Sequence, residues 1–248
     1  MNERAEDLRG SEASSGKSAW VRLLGWATIA AIVVVVLVNL FAGIIPPLVV
    51  FALLWIGAFI WLRRSTRGPA ILLLVTFIAY ILLSAPFIIP TLTVPASAGD
   101  FILNLGSLIA GLVGIIAAIA VLRRSSAVSG TARSIGLAAV ALFVVGAVVS
   151  VVATVTREDA VAQEGDVRLV AEDILFRETS LEAGAGEVSV FVDNKDTTLH
   201  TFTIDELDVD LDIPASAASR VSFEAEPGTY RFYCVPHEPT MKGTLTVE

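Results

Sequence analysis

Within eight residues near the C-terminus, Cys234 to Met241, lie a thiol, an imidazole (His237) and a thioether, and the only other imidazole in the chain is His200. The sequence holds 1 Cys, 2 His and 2 Met, one of them the initiator, so nearly all its soft-donor capacity falls in that stretch plus His200. A thiolate and two neutral imidazoles in a trigonal plane, with a long and weak axial thioether, make the donor set of a mononuclear copper electron-transfer site. A structural zinc site wants four strong ligands, and a thioether is a poor fourth. The expected metal ligands are therefore His200, Cys234, His237 and, more weakly, Met241, around one Cu(I)/Cu(II) ion. Singly, each has a blander use: Cys234 as a buried core thiol, His200 as a loop histidine, Met241 as core filler. Their joint spacing is what favours a metal.

The residues around those four resemble a known family. Asn194 to Phe202, Pro227 to Cys234, then His237, and Met241 to Val247 are similar to the ligand segments of the cupredoxins, the small blue copper proteins of the plastocyanin, amicyanin and halocyanin kind. The resemblance covers roughly 167–248, about a third of the chain. It implies a small Greek-key β-sandwich in which one His lies far upstream of a Cys, His, Met loop. It also implies that His237 is the solvent-edge residue through which electrons enter and leave. Three residues separate His237 from Met241, a spacing intermediate between the plastocyanin-like and amicyanin-like loops. Thr201 stands where such proteins often carry an Asn that ties the two ligand loops together, and a hydroxyl can make a similar bond.

The elements that must position these donors are legible in the hydrophobic period. Val188/Val190/Val192, His200/Phe202/Ile204, Val209/Leu211/Ile213, Val221/Phe223/Ala225, Tyr230/Phe232/Cys234 and Met241/Gly243/Leu245/Val247 alternate with polar residues, which predicts half-buried strands. About seven short strands with Gly-Pro turn signals and no helical period argue for a sandwich. The alternation puts His200, Cys234 and Met241 on the faces of Phe202, Phe232 and Leu245, at the buried end of the core.

Upstream, the composition changes character. The whole chain is 55% apolar with a mean hydropathy of +0.76, too oily for an ordinary soluble domain. Five apolar runs, approximately 21–42, 46–62, 69–89, 101–122 and 135–156, approach the roughly 20 residues that cross about 30 Å of hydrocarbon. The expected organisation is a disordered cytoplasmic tail over 1–19, a five-helix transmembrane domain over 20–156, a linker over 157–166 and a copper-binding sandwich over 167–248. The first run begins late and lacks a small-residue cleavage site, so it is expected to remain as a helix.

Lys and Arg placement orients the spans. Arg4, Arg9, Lys17 and Arg22 precede the first run, Arg63, Arg64 and Arg67 follow the second, and Arg123, Arg124 and Arg133 follow the fourth. The connections Gly43 to Ile45 and Pro90 to Asp100 carry none. The positive-inside rule then places the N-terminus in the cytoplasm and the C-terminal domain outside the cell membrane. Residues 1–156 carry net +5 and residues 157–248 net −13. That acidity suits a solvated surface, or a docking face for a basic redox partner.

Several classes are disfavoured. After Arg22 no run contains His, Asp, Glu, Lys or Arg in its interior, which argues against a haem-bearing oxidase or a proton pump. Ala110/Gly114/Ala118 and Gly146/Ser150 are spaced for close helix packing. Trp20, Trp26 and Trp61 suit interfacial anchors. One Cys excludes an internal disulfide and a copper pair bridged by two thiolates. Asp208, Asp210 and Asp212 share a strand face but lack a calcium-loop spacing, and no basic aromatic surface suits nucleic acid. No catalytic constellation and no small-molecule substrate are evident. The leading expectation is an electron carrier whose partner is a redox protein or respiratory complex. The alternatives are a copper-handling or copper-sensing membrane protein, against which the scarcity of soft ligands in the spans counts, and an accessory subunit of a membrane oxidoreductase.

Overall fold

Five α-helices precede a β-sandwich in the computed structural model, which describes residues 2–41, 43–123 and 129–248. Met1, Ala42 and 124–128 lie outside the described residues, Arg124 of the basic connection among them. The helices are α1 (Asn2–Phe41), α2 (Pro46–Leu62), α3 (Arg67–Thr93), α4 (Ala98–Leu122) and α5 (Ser129–Thr156). α1 begins at Asn2, so the polar segment expected as a disordered tail continues the helix. Its Glu, Ala, Arg and Leu are good helix formers. Segments Ala19–Phe41, Arg67–Thr93, Ala98–Leu122 and Gly130–Thr156 are long and apolar enough to cross a bilayer. Of the five runs expected to span, α2 is the one that falls short: its 17 residues reach about 26 Å. Pro46 and Pro47 start α2 where a missing N–H costs nothing, and the Asn39 side chain accepts the Ile45 N–H at 2.8 Å.

The chain divides into two compact units, 1–88 with 102–148, and 89–101 with 149–248. In the first, Leu24, Trp55, Leu73 and Phe77 are fully buried, and the Trp55 ring lies 5.1 Å from those of Phe77 and Tyr80. Trp55 donates its indole N–H to Thr76 at 3.0 Å, and the Tyr80 and Ser107 hydroxyls are bonded to each other. Gly114 packs directly under the Phe77 ring, and a Cβ on Gly111 would come within 2.9 Å of Ile81. The small residues of α4 thus make room for the Phe77 and Ile81 side chains of α3. Trp20 is buried in this core and not displayed as an interfacial anchor, whereas Trp26 and Trp61 are exposed.

In the second unit nine strands form two sheets. They are β1 (Val167–Glu172), β2 (Leu175–Phe176), β3 (Ser180–Ala183), β4 (Gly186–Asn194), β5 (His200–Ile204), β6 (Val209–Ile213), β7 (Ala218–Ala225), β8 (Gly228–Tyr233) and β9 (Lys242–Val247). One sheet runs β2-β1-β4-β7 and the other β3-β9-β8-β5-β6. Both are mixed, because β1 pairs parallel with β4 and β3 parallel with β9. The three strands before Gly186 carry the count past the seven expected. β2 and β3 are short, and β1 and β2 are joined by Asp173 and Ile174 in left-handed conformations. Leu169, Val190, Val192, Phe202, Phe232 and Leu245 are fully buried between the sheets.

Two features depart from a half-buried pattern. All five residues of β5 are buried, so its second face, Thr201 and Thr203, is covered too. The linker is also pinned: Ala160 N–H donates to Ala218 O at 3.0 Å, and Asp166 pairs with Arg220 at 2.9 Å.

Candidate metal centre

β5 and the loop between β8 and β9 meet at one end of the sandwich core, and they carry the four soft donors. β5 opens with His200 and pairs antiparallel with β6, His200 facing Ile213. β8 ends at Tyr233, Cys234 continues in extended conformation, and a single 3₁₀ turn, Val235–His237, follows with Pro236 inside it. That loop closes on its own backbone. Cys234 N–H donates to Met241 O at 3.0 Å, His237 N–H to Cys234 O at 3.1 Å, and Met241 N–H to His237 O at 2.9 Å. Every backbone bond in this set runs between two of the three donor residues of the loop, so Cys234, His237 and Met241 are tied into one closed backbone turn.

The donor atoms converge. Cys234 Sγ lies 3.5 Å from His237 Nδ1 and 3.7 Å from His200 Nδ1, and the two Nδ1 atoms are 3.2 Å apart. Three ligands about 2.0–2.3 Å from a common ion, at angles of about 110–120°, lie roughly 3.3–3.8 Å from one another. The triangle therefore has the dimensions of a first-row metal site. His200, Cys234 and Met241 are fully buried and His237 partly so. Met241 packs in the same core cluster as Cys234 and Phe232. Among the described residues, His200, Cys234 and His237 are the one group of three or more His, Cys, Asp or Glu set to hold a metal ion. Asp208, Asp210 and Asp212 are exposed and form no such group.

The protonation states suit metal binding. Burial pushes the His200 imidazole below its ordinary value against the pull of Asp196, and burial together with neighbouring His200 takes His237 down to about 4. Both rings are neutral at pH 7 and can offer lone pairs. His200 Nε2 lies 2.8 Å from Asp196 Oδ2, which assigns the proton to Nε2 and turns the Nδ1 lone pair to the triangle. Burial raises the Cys234 thiol pKa, so the thiol keeps its proton until a cation displaces it. The donor types, their spacing and their neutral rings fit copper.

Residues outside these four donors hold them in place. Asp196 accepts the N–H groups of Asp173 at 2.8 Å and Ile174 at 3.0 Å in addition to His200. Burial raises its pKa, but these donors together bring it below the usual carboxylate value. Asn194 occupies the last buried position of β4 and donates its amide N–H groups to the carbonyls of Thr198, Ile213 and Pro214 at 2.9–3.0 Å. Thr201 Oγ1 accepts the Val235 N–H at 2.8 Å, and Thr201 N–H points at Cys234 Sγ at 3.4 Å. Reading the sequence did not single out Asn194 or Asp196 for a role. The signal was there in a polar residue at a core register position and an acid four residues before a candidate ligand.

Residues 141–247 match the family model of a cupredoxin-like domain. No curated protein matches the sequence. Among solved structures, the reduced Cu(I) form at pH 4 of a proline-to-glycine variant of amicyanin is 20% identical with a TM-score of 0.31, covering 35% of this chain and 86% of that one. A reduced proline-to-phenylalanine variant of amicyanin is 22% identical with a TM-score of 0.30, over 35% of this chain and 86% of that one.

Proposed function

We propose that this chain, a cupredoxin-like domain joined to membrane-length helices, is a membrane-anchored type 1 copper protein that carries single electrons. The observation that carries the reading is the buried triangle of Cys234 Sγ, His200 Nδ1 and His237 Nδ1. Copper held there supplies a one-electron Cu(I)/Cu(II) couple. The chain's own residues supply the rest.

Cys234, His200 and His237 would serve as the strong ligands and Met241 as a weaker fourth donor. Loop self-closure and the Asp196 contact keep the donors in one arrangement for both oxidation states, which lowers reorganisation on electron transfer. His237 is the ligand with partial exposure, and Val235 beside it is 46% exposed, so this edge is the exit for the electron. The role is that of a carrier, with catalysis left to a redox protein or respiratory complex as partner.

Residues 20–156 act as the membrane domain and 167–248 as the copper domain, outside the membrane. Two clusters of Arg, 63–67 and 123–133, mark the connections on the side of the N-terminus. α2 crosses as well in this arrangement, since only an odd number of crossings keeps all the Arg-bearing connections on one side.

The test is a visible spectrum of the full-length chain in detergent, titrated with Cu(II) and reduced with ascorbate. An intense charge-transfer band that bleaches on reduction, returns on oxidation and is absent from Cys234→Ser supports the reading. A colourless protein that takes up no copper overturns it.

A further inference from the structure

The connection between α3 and α4 carries no Lys or Arg and belongs to the same compact unit as the sandwich. Its residues fasten two loops that flank His200. Ser97, fully buried, accepts the Ala215 N–H at 3.2 Å. Ala96 O accepts from Arg157 Nη1 at 2.8 Å and from Thr154 at 3.0 Å, while Arg157 Nη2 donates to Ser216 O at 2.8 Å. Ser216 N–H in turn donates to Asp196 O at 2.8 Å.

Asp100 sits at the centre of this arrangement. Its Oδ2 accepts the Leu199 N–H at 2.5 Å and the Thr198 hydroxyl at 3.0 Å, with the Ser97 hydroxyl at 3.4 Å. An Asp in the first turn of a helix is ordinary, since it faces the positive end of the dipole. Asp100 goes further, because the two closest of these donors lie 98 and 99 positions away, and Leu199 is the residue before His200. Leu199 is 1% exposed, so without a partner its N–H would be stranded in a buried place.

We propose that Asp100 is a positioning residue for the copper ligand His200. Asp196 holds the ring at Nε2, and Asp100 holds the backbone from which the ring is hung, so the ligand is fixed at both ends. Through this carboxylate the connection between two membrane-length helices becomes part of the outer coordination sphere, and the metal's potential becomes sensitive to it. The proposal rests on the copper reading above. The negative charge favours Cu(II) over Cu(I), so Asp100 lowers the potential, and its backbone bond fixes the geometry.

Two readouts on the full-length chain in detergent separate these effects, with wild type, Asp100→Asn and Asp100→Ala compared. In metal-free protein, amide hydrogen exchange over 195–203 should quicken by at least about tenfold in Asp100→Ala while the strands β4 and β8 stay protected, and should change little in Asp100→Asn, which keeps an acceptor oxygen. In copper-loaded protein, the reduction potential should rise in both variants. Unchanged exchange in Asp100→Ala, or exchange quickened equally across the sandwich, overturns the proposal. So does a potential that matches wild type in both variants, which would leave Asp100 as a brace only. Failure of wild type to bind copper would overturn the copper reading, and the metal-free exchange would still decide whether Asp100 holds the His200 loop.

Discussion

The hydroxyl of Thr201 accepts the N–H of Val235 at 2.8 Å, joining the residue after His200 to the residue after Cys234. The segments bearing His200 and Cys234 are 34 positions apart in sequence, and this bond ties them together. Replacing Thr201 by Val keeps the shape and removes this bond, at a cost of about 0.5–1.5 kcal/mol. The urea midpoint for loss of the copper band should fall accordingly in Thr201→Val. Thr201→Ser should stay close to wild type.

Asp196 should matter more for metal than for fold. Partners of a ligating His typically contribute 10–100-fold in metal affinity. Asp196→Ala is therefore expected to bind copper about 10–100-fold more weakly in competition with a chelator, and Asp196→Asn, which still offers an acceptor, less so. Equal affinity in Asp196→Ala and wild type would mean that the His200 ring needs no outer partner.

Gly243 faces a steric demand. A Cβ there would run into the Phe232 ring and come within 2.6 Å of Thr179 O, with the β3–β9 pairing on one side and the core on the other. Gly243→Ala should cost on the order of 1–3 kcal/mol or more and lower the thermal midpoint of the copper band. The site should remain intact at low temperature, since Gly243 carries no donor.

The metal-free protein should lose stability as pH falls. His237 has its pKa lowered from 6.5 to about 4 in the folded state, so below 6.5 the unfolded chain binds a proton that the folded one refuses. Stability from this group is fully present above about 6.5, declines as pH falls, and declines no further below about 4. Urea midpoints of the metal-free chain at pH 7.5 and pH 5 test this, and in His237→Asn the difference should shrink.

How much of this was legible beforehand differs by residue. The four soft donors stood out because the chain spends so few elsewhere, and the alternation of Val188, Val190 and Val192 marked a half-buried strand directly. β5 misled, since His-Thr-Phe-Thr-Ile reads as one buried and one wet face. Thr201 and Thr203 are covered instead, satisfied by each other at 3.0 Å and by Val235 and Asp210. The parallel pairing of β1 with β4 leaves no trace in a period of two. Asp100 looked like the polar end of a connection, and its bond to Leu199 spans 99 positions. Contacts of that kind arise from tertiary proximity, which no local pattern records.

The complete burial of Cys234, the chain's single thiol, also bears on how the protein matures. With no second cysteine to seek and no exposed sulfur to be captured by small thiols, the sandwich needs no oxidative folding step and offers none to go wrong. With copper bound as proposed, its completion would reduce to a single exchange at Cys234, a metal cation in and a proton out.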